Sequence, residues 1–184
     1  MHNNIPIYFS IINSLNENHI RKLDKKIAII YRNYEEVNNK KIILKIKMIC
    51  KESGRKFYLS NDLRLAVNLD LDGVYLPSFN KNLNVAQINT KKKFIKIGSA
   101  HNIKEIKIKE KQGVKLIFLS PIFKTKKNKK NLNPTKFNSL ALKTKKKIIA
   151  LGGITYQNQS KLKMLNIVGF AGISYFEKNK NIKI

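Results

Sequence analysis

The chain has 184 residues, 42% of them hydrophobic and 9% aromatic, with 38 lysines and arginines against 11 acidic residues and a formal net charge of +27. Apolar residues spread along its whole length exclude a disordered basic tail, and no apolar run approaches the ~18 residues of a membrane span. The amino terminus has no charged-then-apolar export pattern and Cys50 is the single cysteine, which leaves one compact cytoplasmic domain over residues 1–184 as the expectation, with no disulfide scaffold, cysteine zinc site or membrane partner.

In chain order, β-branched and aromatic runs predict strands over 6–12, 26–31, 56–59, 73–76, 94–97, 115–119, 148–151 and 168–171. Helical spacing predicts helices over 38–53, with Ile42, Ile43, Ile46 and Ile49 on one face, and over 63–69, 83–89, 103–112, 136–145 and 157–165. Between the first two strands there is room for only a turn or two of helix. Strands alternating with helices imply parallel pairing, because a parallel strand needs a crossover. Eight units of about 23 residues make a compact α/β (β/α)8 TIM barrel with a shortened first helix; an open doubly wound sheet is the alternative.

The charge itself is weak evidence of a partner. Lysine is scattered over nearly every segment together with Ile and Asn, the pattern of an AT-rich genome, while arginine occurs only at positions 21, 32, 55 and 64. Nucleic-acid readers concentrate arginine and exposed aromatics, so nucleic acid is disfavoured here.

Chemistry-bearing residues cluster where the predicted strands end. Gly152-Gly153 follows the seventh strand, and Gly169 to Ser174 spans the eighth. Glycines there let backbone N–H groups approach an anion, and in barrels these two loops form a recurrent phosphate site; the same glycines could equally be plain turn residues. Ser60-Asn61-Asp62 ends the third strand, Ser99-Ala100-His101 the fifth, and Ser120-Pro121-Ile122-Phe123-Lys124-Thr125 the sixth. Polar residues at successive strand ends converge on one mouth of a barrel.

Taken together the motifs resemble a known family. Asn61-Asp62 with Ala66 and Asp72-Gly73-Val74-Tyr75-Leu76, then Ser99-Ala100-His101, Ser120 to Thr125, Gly152-Gly153-Ile154-Thr155 and Gly169 to Ser174, stand in the order of the motifs of thiamine phosphate synthase and its TenI-type relatives. The resemblance implies a (β/α)8 barrel that joins an aminopyrimidine diphosphate to a thiazole phosphate, giving thiamine phosphate and diphosphate. Small phosphorylated substrates are the partners it implies, a homo-oligomer being left open, and Mg2+ the cofactor. It further implies Asp62 as metal ligand, Asn61 on the pyrimidine, Arg32 on the diphosphate, and Ser99 on the pyrimidine substrate. Thr125, Gly152, Gly153, Ile173 and Ser174 would hold the thiazole phosphate, with Lys127 or Lys129 as the loop cation.

Several positions depart from the family pattern. The Gln and Lys flanking the family's second-strand arginine are Ile30 and Tyr34 here, and the loop after the fourth strand carries neutral Asn80 where the family has a second metal carboxylate. Magnesium is then expected to be held more weakly. Two other functions compete with synthesis: a TenI-type tautomerase using His101 as general acid/base, in which His101 as a mere loop anchor is the plain alternative, and a phosphate-binding barrel without catalysis.

Overall fold

The computed structural model describes residues 5–35, 39–125 and 131–178. Eight parallel strands close into a barrel in chain order: β1 (Tyr8–Ile12), β2 (Ile27–Tyr31), β3 (Phe57–Ser60), β4 (Gly73–Leu76), β5 (Ile95–Ala100), β6 (Leu116–Leu119), β7 (Lys147–Leu151) and β8 (Gly169–Gly172). The closing pair sets Tyr8 against Phe170 and Ser10 against Gly172. The open sheet is thereby excluded.

Period-two alternation divides the core into two layers. Phe9, Ile11, Ala28, Ile30, Tyr58 and Tyr75 are among the residues that fill the barrel, while the other strand face packs under the helices. Inside, Phe118 meets Phe9 and Tyr75 edge to face at centroid distances of 4.9 and 5.4 Å, which plugs the barrel with rings.

The outer coat is uneven. Helices α1 (Glu17–Lys22), α2 (Lys40–Glu52), α3 (Leu63–Asn68), α4 (Ile103–Lys111), α5 (Pro134–Ala141) and α6 (Ser174–Lys178) follow β1, β2, β3, β5, β6 and β8. The first is short, as the spacing predicts. Asn16, Asn39, Asp62, Asn102 and Asn133 cap the first five, each accepting from the backbone N–H three residues on at 2.8 to 3.3 Å.

Two predicted helices are reduced and one is shifted. The segments after β4 and β7 form only 3-10 helices, Leu83–Ala86 and Gln159–Met164, each burying one residue, Val85 and Leu162. A single apolar contact gives no continuous stripe along which an α-helix could pack. The helix predicted over 136–145 instead starts at Pro134, pre-set for a first helical turn behind its Asn133 cap, and stops before the lysine run that follows.

Candidate active site

Continuing the inward alternation to the carboxyl ends of the strands gives the floor of the mouth. Ser60 follows Tyr58, Ser99 follows Ile97 and Ser120 follows Phe118 at two-residue spacing, and all three serines are buried. They put hydroxyls directly above the apolar plug. Burial pushes the Tyr75 phenol up to about 12, with the neighbouring Ser99 opposing the rise. Arg32 stands two residues beyond inward-facing Ile30, half-buried, with its backbone N–H on Ile12 O at 2.8 Å. Its guanidinium bears electrostatically on Tyr34 and Tyr75.

On the β6–β8 side the loops are stitched together by backbone. Ile122 N donates to Leu151 O at 3.0 Å and Phe123 N to Gly152 O at 3.1 Å. Leu151 pairs with Ala171, so the residues that follow, Gly152-Gly153 and Gly172-Ile173-Ser174, leave neighbouring strands side by side. Gly153 has φ +69°, and a Cβ there would collide with the carbonyl oxygens of Lys124 and Phe123, the latter at 2.7 Å. Only glycine lets these loops approach so closely. Asn158 fixes the turn, donating to Gly153 O at 2.8 Å and accepting from Thr155 N at 2.9 Å. Half-buried Thr125 follows Lys124 at the same rim. Lys127 and Lys129 lie outside the described residues.

On the β2–β4 side the site is made of side chains. Asn61, at φ +64°, sends its backbone N–H to Tyr75 O at 2.8 Å, and its Oδ1 accepts from Asn80 Nδ2 at 2.8 Å. Asparagine tolerates this left-handed conformation. Tyr34 reaches Ser60 Oγ at 3.1 Å and meets Phe79 edge to face at 5.5 Å. Burial raises the Tyr34 phenol above its usual range.

The position that the resemblance assigns to a metal carries one carboxylate. Asp62 caps α3 through Oδ1, whereas Asn80 turns its Oδ1 toward Asn82 N (3.0 Å) and Gln112 Nε2 (3.2 Å). No group of three or more His, Cys, Asp or Glu residues that could hold an ion occurs among the described residues. This donor set does not fit an all-protein cage. It fits an ion that arrives on phosphate oxygens and meets the protein at Asp62.

His101 is held at the start of α4. Its backbone N–H and Nδ1 both contact Glu105 Oε2, at 2.7 and 2.9 Å. Its ring is thereby tied through Nδ1 to the capping turn of α4.

Sequence reasoning missed Lys109 and Gln112. Both are fully buried, Lys109 on α4 and Gln112 at its C-cap, and Lys109 Nζ donates to Pro77 O (2.7 Å), Asn80 O (2.8 Å) and Gln112 Oε1 (2.8 Å). Burial lowers its ammonium from 10.5 to about 8. A signal existed: Lys109 stands three residues beyond Ile106 on the same helical face, a lysine where an apolar residue belongs. In so lysine-rich a chain it did not stand out.

Comparisons agree with the geometry. A family model described as thiamine monophosphate synthase matches residues 18–176. A thiamine-phosphate synthase of Pelagibacter ubique is 33% identical over 165 residues, 86% of this chain and 79% of the relative. One from Prochlorococcus marinus is 32% identical over 151 residues, 79% of this chain but only 43% of that longer protein. In structure, a thiamine phosphate pyrophosphorylase from Pyrococcus furiosus superposes with TM-score 0.79 at 18% identity, covering 97% of this chain and 93% of the other, and this likeness speaks for the fold. With its barrel closed, its strand-end motifs gathered at one mouth and its sequence matched along nearly the whole described length, the chain belongs to the thiamine monophosphate synthase family.

Proposed function

We propose that this chain joins an aminopyrimidine diphosphate to a thiazole phosphate, releasing diphosphate and forming thiamine phosphate. The observation that carries this reading is the two-sided mouth: glycine loops after β7 and β8 face, across a floor of buried serines, a side-chain cluster at the ends of β2 to β4. Two substrates need two such sides.

In this reading the bond from the pyrimidine methylene carbon to the diphosphate oxygen breaks, the electron pair leaves with diphosphate, and the thiazole nitrogen supplies the pair for the new C–N bond. Arg32 faces the departing diphosphate, where a guanidinium can bind two phosphate oxygens at once. Buried Ser99 orients the pyrimidine substrate together with Asn61. Backbone at Gly152, Gly153 and Ile173, with the Ser174 and Thr125 hydroxyls, holds the thiazole phosphate. Fixing both partners in line makes the encounter intramolecular.

Magnesium, when bound at Asp62, supplies charge neutralisation for the leaving group. Its weaker protein grip makes the Arg32 cation the more important. The relatives' names favour synthesis over tautomerisation.

Incubating purified protein with both substrates and Mg2+ tests the reading. Thiamine phosphate formation is expected, and its absence from folded protein, with thiazole phosphate still binding in calorimetry, would select a non-catalytic barrel instead.

A further inference from the structure

The amide of Asn80 has only one orientation. A backbone N–H can only donate, so the atom facing Asn82 N at 3.0 Å must be the side-chain oxygen. Nδ2 therefore faces Asn61 and donates to its Oδ1 at 2.8 Å. With that oxygen engaged, the remaining end of the exposed Asn61 carboxamide is its NH2, a donor.

What holds Asn80 comes from α4, one strand away. Gln112 Nε2 contacts Asn80 O (3.1 Å), Asn80 Oδ1 (3.2 Å) and Asn82 O (2.9 Å), while its Oε1 is occupied by Lys109. The Lys109 stem reaches the loop by crossing β5 at Gly98, where an added Cβ would sit 2.8 Å from Lys109 Cδ. The result is a relay from a buried ammonium through two amides to the rim of the mouth.

We propose that Lys109 and Gln112 are positioning residues whose hydrogen bonds lock Asn80 and thereby make Asn61 a donor to an acceptor atom on the pyrimidine diphosphate. The acceptor is an unprotonated ring nitrogen or a diphosphate oxygen. The lock also keeps the Asn80 oxygen off any incoming metal ion. The inference rests on the synthase reading for the identity of the ligand, but its test does not need turnover.

Calorimetry with three probes, the aminopyrimidine alcohol, inorganic diphosphate and thiazole phosphate, decides it. Gln112→Glu keeps shape and a partner for Lys109 but cannot donate to the loop. Asn80→Ala removes the relay while leaving the Lys109 and Gln112 bonds to backbone carbonyls, so it keeps the test readable should the first variant fold poorly. Each is expected to weaken the pyrimidine alcohol or the diphosphate by about 5- to 10-fold and to leave thiazole phosphate unchanged. The probe affected tells ring nitrogen from phosphate oxygen. Equal weakening of all three, no weakening of the first two, or a wild type that binds neither of them overturns the inference. Loss of turnover in wild type with these binding differences intact would overturn only the synthase reading.

Discussion

The two sides of the mouth are built from different material. Around β6 to β8 the rim is shaped by backbone, drawn together by Gly153 and by inter-loop N–H to carbonyl bonds, with the Thr125 and Ser174 hydroxyls beside it. Around β2 to β4 they are side chains: Arg32, Tyr34, Asn61, Asp62 and Asn80. A backbone site can be lost only by distorting the chain, so its glycine motifs stay recognisable. A side-chain site can be rewritten residue by residue, and the resemblance read from the sequence implies such changes at Tyr34 and Asn80.

Gly153→Ala should break the backbone side outright. The substitution combines a positive φ with a collision against two carbonyls, a cost of about 1–3 kcal/mol, and calorimetry should show thiazole phosphate binding reduced more than 100-fold, a loss of roughly 3 kcal/mol. Arg32→Ala should break the other side alone, raising KM for the pyrimidine diphosphate by about 10- to 100-fold, as expected for 1.5–3 kcal/mol in a charge-assisted contact, with KM for thiazole phosphate unchanged in steady-state assays.

Lys109 sharpens the comparison through pH. The folded protein holds this proton with a value of about 8 against 10.5 for an ordinary lysine. Between those values the unfolded chain keeps a proton that the native state has released, so stability rises with pH across that window. Below pH 8 the cost of the buried charge is constant. Denaturant melts of wild type against Lys109→Met should therefore move in favour of wild type from pH 8 to 10, by at most about 3 kcal/mol.

Smaller effects are expected at the two remaining positions. Tyr34→Phe keeps the ring against Phe79 and loses only the hydroxyl on Ser60, which should change pyrimidine diphosphate KM about threefold. His101→Ala removes a contact to Glu105 and should lower Tm by a few degrees while leaving the rate of product formation within about twofold; a large drop in rate with unchanged Tm would restore the histidine to the chemistry.

Fold and rim were legible in the sequence for the same reason: both depend on local pattern. The β-branched and aromatic strand runs and the ordered motifs at strand ends each occupy a few consecutive residues. The Lys109–Gln112–Asn80–Asn61 relay was not legible, because it joins residues from α4, the β4 loop and the β3 end that only closure of the barrel brings together. The reduced crossovers after β4 and β7 were overestimated because short apolar clusters at helical spacing do not reveal how little strand surface they cover.

Those two crossovers have a mechanical consequence. Over β4 and β7 the short 3-10 segments bury only Val85 and Leu162, where α2 brings a stripe of three isoleucines and a cysteine over its own part of the wall. The molecule is thus armoured on one flank and thinly clad on two narrow panels, and on warming it is at these panels that solvent should first reach the outer faces of the staves.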